Sequence, residues 1–159
     1  MTNNSALQKI QFAFRLELAD VLRIFGLVNY PADTKMATGY FIDNKHEDFV
    51  ACPNQALAAF LDGLIIERRG PSEKNPVPAE FPKLALDNND IFKKLRIAMD
   101  LHAEDIEVVL GRASVDLTNI DLSAFFRKKG HKHYKVCSDK ILESFLIGIR
   151  IAFKPKTVA

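Results

Sequence analysis

Two short polar stretches carry most of the side chains able to bind or react. One reads Lys45-His46-Glu47-Asp48-Phe49-Val50-Ala51-Cys52, the other Gly130-His131-Lys132-His133-Tyr134-Lys135-Val136-Cys137. His131, His133 and Cys137 offer the nitrogen and sulfur donors that zinc takes, and His46, Asp48 and Cys52 offer a similar set. A structural zinc site needs four ligands, and no fourth stands nearby. The spacing is not that of a finger or ribbon either. The expectation is therefore no metal and no cofactor. The imidazole at 46 and 131 should hydrogen-bond backbone in a tight turn, with Phe49 or Tyr134 plugging the core. The thiol should be buried at a helix start as a small hydrophobe.

A nucleophilic role for Cys137 has some support. It lies near an expected helix N-terminus, where a thiolate is stabilised, and His133 precedes it by four residues. Cys52 holds the same place behind Asp48, whose charge opposes a thiolate. No catalytic residue is assigned.

The second stretch extends a basic run, Arg127-Lys128-Lys129-Gly130-His131-Lys132-His133-Tyr134-Lys135. Arg127, Lys128, Lys129, His131, Lys132, His133 and Lys135 make a candidate anion- or ligand-binding loop, holding phosphates with help from loop amides. The matching segment upstream has Asp43, Glu47 and Asp48, so such a site would be one-sided. Arg68 and Arg69 would extend it only if the fold brings them close. No glycine-rich phosphate loop, paired-histidine zinc helix or serine-centred elbow is present. Nor is there an aromatic and basic strand pattern suited to single-stranded nucleic acid.

These stretches match because the chain is duplicated. Residues 2–70 align without a gap onto residues 87–155, and fifteen of the 69 pairs are identical. They include Asn3/Asn88, Asn4/Asn89, Asp20/Asp105, Gly26/Gly111, His46/His131, Cys52/Cys137, Phe60/Phe145 and Gly63/Gly148. A repeat of this kind governs the reading of every local feature. It predicts modules at 1–70 and 87–155, joined by a linker at 71–86 that holds Pro71, Pro76, Pro78 and Pro82. Val77, Phe81, Leu84 and Leu86 could dock that linker onto a helix.

Apolar spacing predicts four helices per module, hence an all-α fold. The first runs near Asn4 to Phe14 and Asn89 to Met99, with the paired asparagines read as N-caps. The second runs near Glu17 to Leu27 and Ala103 to Ala113, with Asp20 and Asp105 stabilising its positive end. The third runs near Thr34 to Asp43 and Asn119 to Lys128, opened in the second copy by a Thr118/Asp121 capping box. The fourth starts near Pro53 and Ser138 and carries Leu57, Phe60, Leu61 and Leu64, repeated as Leu142, Phe145, Leu146 and Ile149. Gly63 and Gly148 inside that helix point to a close helix crossing. The modules should pack face to face about a pseudo-twofold axis.

Formal charge is +2, which makes no case for nucleic acid alone. The first 70 residues carry −1 and residues 87–159 carry +3. Two cysteines are too few for a disulfide scaffold. No basic stretch feeding an apolar run opens the chain, and the apolar stretches at Phe60–Ile66 and Phe145–Phe153 are too short to span a bilayer. The expectation is a cytoplasmic protein that does not enter membranes.

The run Asn88-Asn89-Asp90-Ile91-Phe92-Lys93-Lys94-Leu95-Arg96-Ile97-Ala98-Met99-Asp100-Leu101, followed by Gly130-His131-Lys132-His133-Tyr134, Cys137-Ser138-Asp139 and Phe145-Leu146-Ile147-Gly148, resembles the bacterial domain of unknown function 1456 family. The resemblance covers both copies. The first departs from the pattern, with Lys45 in place of glycine, Phe49 of tyrosine and Pro53-Asn54 of Ser-Asp. It implies a duplicated helical architecture and carries no established activity or site. The leading expectation is a non-enzymatic protein-binding or adaptor protein that engages another protein or a second copy of itself. A nucleic-acid-associated regulator of helix-turn-helix type comes second. A small-molecule enzyme with a polar cleft between the modules, lined by His131 and nearby acids, comes third.

Overall fold

The computed structural model describes residues 1–152, and every regular element among them is an α-helix. The helices are α1 (Asn3–Phe14), α2 (Leu18–Leu27), α3 (Thr34–Tyr40), α4 (Asn54–Arg69), α5 (Asn88–Met99), α6 (Ala103–Arg112), α7 (Asn119–Phe125) and α8 (Asp139–Ala152). The all-α, duplicated architecture is as the repeat demands. Phe153 and the last three residues of the expected second module, 153–155, lie outside the described residues. None of the described helices is long and apolar enough to cross a membrane.

The termini show why the helices begin and end where they do. Asp20 and Asp105 each accept the amide of the residue three before them, Glu17 and His102, at 2.8 Å. Thr118 and Asp121 form the reciprocal capping box, at 3.1 and 3.3 Å. The asparagine pairs are not the caps of α1 and α5. Thr2 and Asp87, one residue earlier, hold that place, accepting from Ser5 N and Asp90 N at 3.0 and 2.8 Å. α1 and α5 end on left-handed residues, Arg15 (φ 56°) and Asp100 (φ 52°), which turn the chain into the next helix. α3 and α7 stop about three residues earlier than expected, because the chain folds back: Val50 N donates to Gly39 O and Lys135 N to Ala124 O.

Within each half the fourth helix crosses the second, α4 on α2 and α8 on α6, with α3 and α7 laid against α2 and α6. Gly63 and Gly148 sit at those crossings. A Cβ on either would overlap the backbone carbonyl of Ile24 or Val109. The halves then exchange equivalent contacts: α4 packs on α5, and α8 packs on α1. That reciprocity is the pseudo-twofold relation. One continuous core results, with Phe25 stacked edge-on to Phe60 at 5.4 Å and Phe92 against Phe145 at 4.6 Å.

The paired helices run parallel. Along α4 and α5, Asp62 meets Lys94 at 2.6 Å and Arg69 meets Asp100 at 3.1 Å, so positions advance together. After the 16 residues of α4 the chain must therefore return roughly 24 Å before α5 can start. The proline-rich segment supplies that return. Gln55 Nε2 donates to Phe81 O and Asn54 Nδ2 to Lys83 O, and the Phe81 ring rests 6.1 Å from Tyr30. Phe81 and Leu86 dock against the core as expected. Val77 and Leu84 do not; Leu84 is 81% exposed.

Candidate functional site

The loop between α7 and α8 is positioned by the asparagine pair at the start of α5. Asn89 is only 7% exposed. Its Nδ2 donates to Phe125 O at 3.0 Å and Lys135 O at 2.8 Å, while its Oδ1 accepts from Cys137 N at 2.8 Å. Asn88 Nδ2 donates to Cys137 O at 3.1 Å and Asp139 Oδ1 at 2.7 Å. One side chain thus uses both donors and its acceptor to tie the end of α7 to the start of α8. Asn4 repeats the arrangement with Tyr40 O, Val50 O and Cys52 N, and Asn3 with Cys52 O and Asn54 Oδ1.

Between those ties the chain makes a tight turn. Gly130 takes φ 90°, and His131 Nδ1 accepts from His133 N at 3.0 Å. His46 Nδ1 accepts from Asp48 N at the same distance. Phe49 and Tyr134 do not plug the core; each is half-buried and belongs neither to the core nor to the side chains packed against it. The asparagine, not an aromatic plug, anchors the turn. His131 and His133 are exposed, with ring centroids 5.6 Å apart, whereas Cys137 is buried. Among the described residues no three His, Cys, Asp or Glu side chains converge on a common metal position.

Burial pushes both thiols up, from an ordinary 9.0 to about 12. They are neutral and un-nucleophilic at neutral pH. The folded chain holds these protons where the unfolded chain releases them, so stability is unaffected below the ordinary thiol range and falls as pH climbs from about 9 towards 12. The double variant Cys52→Ala/Cys137→Ala should lose less of its urea midpoint between about pH 8 and pH 10.5 than the parent does. Equal losses would show that the thiols do not carry the alkaline sensitivity.

The basic run divides. Arg127, Lys128 and Lys129 join a depression lined also by Asn89, Asp90, Lys93, Phe126 and Tyr134. Next to it, and sharing Lys93 and Phe126, lies a second depression bounded by Arg69, Arg96, Ile97 and Asp100. Together they form one cationic groove with an aromatic floor. The Arg96 guanidinium lies 4.6 Å over the Phe126 ring and its Nε donates to Leu101 O at 3.0 Å. Arg69 is held by Ile97 O and Asp100 Oδ1 at 3.0 and 3.1 Å. Arg68 turns away to cover Phe14 at 5.5 Å, so one of the two arginines extends the patch. Lys129 pairs with Asp87 at 2.6 Å. Among the described residues, Lys93, Arg127 and Lys128 have no carboxylate within ion-pair distance. His131, Lys132, His133 and Lys135 stay on the exposed loop and line neither depression.

Lys93 and Arg96 are not among the site residues expected from the sequence. A signal was present. At the matching positions of the first half stand Gln8 and Gln11, and opposite Arg127, Lys128 and Lys129 stand Ile42, Asp43 and Asn44. Five cations in one half thus replace uncharged or acidic residues in the other.

Comparison with known proteins agrees with the duplication. The family model described as "Protein of unknown function (DUF1456)" matches twice, at residues 3–70 and 88–154. The chain is also 32% identical over 149 residues to "Uncharacterized protein YehS" of Escherichia coli (strain K12), covering 94% of each chain. No solved structure matches. With both halves matched by one model and a relative aligned nearly end to end, the chain belongs to the DUF1456 family of proteins of unknown function.

Proposed function

We propose that this is a non-enzymatic binding protein that holds a nucleic acid by its phosphates in the cationic groove of the second half. The observation that carries this reading is the charge contrast between equivalent positions. Lys93, Arg96, Arg127, Lys128 and Lys129 surround Phe126, while Gln8, Gln11, Ile42, Asp43 and Asn44 hold the same places around Phe41. A shared fold needs neither set, so the difference belongs to the surface and what it meets. Cations beside an aromatic floor, with Lys93, Arg127 and Lys128 free of carboxylate partners among the described residues, suit a phosphate chain better than a neutral ligand. Base reading by α7 has less support: Leu122 and Phe125 face the core, and the outward Ile120 is 83% exposed and apolar. Catalysis also has less support, because His131 lines neither depression and both thiols are held neutral.

The test is fluorescence anisotropy with labelled oligonucleotides of about 20 nucleotides, as single-stranded RNA, single-stranded DNA and duplex, at about 50 and 200 mM salt. Binding should weaken steeply with salt. Lys93→Glu/Lys128→Glu should cut affinity at least about tenfold and flatten the single-strand salt slope by about 1.4, while Lys45→Glu in the first half should leave both unchanged. Absence of binding to all three probes at the lower salt would end the proposal. Inorganic polyphosphate that competes on equal terms, charge for charge, would also overturn it as a nucleic-acid site.

A further inference from the structure

We infer that the α1/α8 face is the docking surface for a second copy of this chain. This face and the α4/α5 face are equivalent under the pseudo-twofold, yet only one exposes large apolar side chains. On α4/α5, Ile97 is half-buried and Asp62 is locked to Lys94 at 2.6 Å. On α1/α8 the same positions hold Phe12 and Ile147, 56% and 51% exposed, lining a depression with Leu146 and the side chains of Lys9 and Glu143. Apolar side chains exposed singly are ordinary, but Phe12, Leu146 and Ile147 line one depression and so form a shared apolar patch.

The charges on this face select the occupant. Lys9 and Glu143 stand at one level on parallel helices, 3.8 Å apart and each more than a third exposed. The axis of a symmetric dimer that runs along the groove would set each Lys9 opposite Glu143 of the other copy, and each Phe12 opposite Ile147. The face is therefore complementary to itself in charge and in apolar content, which an isologous interface requires. Two arginines stand at the far end of this seam, and neither lines the depression: the Arg150 guanidinium lies 3.7 Å over the Phe12 ring and donates to Phe12 O at 2.6 Å, and Arg15 Nη2 donates to Arg150 O at 3.3 Å.

Sedimentation of the full chain, freed of nucleic acid so that the groove plays no part, tests the inference. Mass should rise from the 17.9 kDa monomer towards twice that value as concentration increases. Lys9→Glu and Glu143→Lys should each weaken the dimer at least tenfold, and the two combined should restore it. Phe12→Ser should leave a monomer with an unchanged circular dichroism spectrum. A constant monomer mass up to several hundred micromolar would overturn the inference. So would single charge reversals without effect, or a double reversal that fails to rescue.

Discussion

Asn89→Ala will melt about 6–12 °C below the parent. The buried amide serves three backbone groups: the carbonyls of Phe125 and Lys135 and the N–H of Cys137. Alanine leaves all three without that partner in a place where water enters poorly. Each orphaned group costs about 1 kcal/mol or more, so the loss is about 3 kcal/mol. For a chain of this size each kcal/mol moves the midpoint by about 2–4 °C. Asn89→Asp should be no better at neutral pH. It keeps the acceptor for Cys137 but sets a carboxylate against two carbonyl oxygens, and acid should partly relieve it. The expectation extends to Asn4→Ala, whose three partners are equivalent. Thermal melts followed by circular dichroism suffice. A shift under about 2 °C for Asn89→Ala would mean that the loop finds other partners and that the asparagine is not its anchor.

Gly148→Ala will destabilise the fold although alanine is the better helix former. On propensity alone the change should gain about 1 kcal/mol. The new Cβ would overlap the Val109 carbonyl, which belongs to the backbone of α6 and cannot swing aside. α8 must lift off α6, at a net cost of about 1–3 kcal/mol. Gly148→Leu should cost more still. Because the obstacle is backbone, even the smallest side chain collides. Gly63→Ala should behave alike against the Ile24 carbonyl. The internal controls are Gly26→Ala and Gly111→Ala. These glycines also recur in both halves, yet nothing lies within 4 Å of an added Cβ. They should be neutral or stabilising by up to about 1 kcal/mol. If all four variants shift alike, helix propensity governs and the crossing does not.

These two predictions separate recurrence from role. Gly26, Gly63, Asn3 and Asn4 all repeat in the second half, and repetition alone treats them equally. The sequence reading placed Gly63 and Gly148 at a close crossing correctly, because a glycine amid large apolar residues has few other uses. It placed Asn4 and Asn89 at helix caps, where local preference puts asparagine. Their partners lie 36 to 48 residues away, and no local rule reaches that far.

Hydrophobic periodicity is a local property, and here the chain states it twice. Eight helices, their order, their inward faces and the halving of the chain follow from it directly. Contacts between elements do not. That α4 and α5 run parallel, that Arg69 meets Arg96 and Lys93 beside the α7–α8 loop, and that one of two equivalent faces stays open all depend on which surfaces meet. Surface charges on a helix look alike from the sequence whether they face solvent or one another. Only the packing of the two halves, driven by burial of a shared core, gathers distant cations into one groove and leaves Phe12 and Ile147 half exposed.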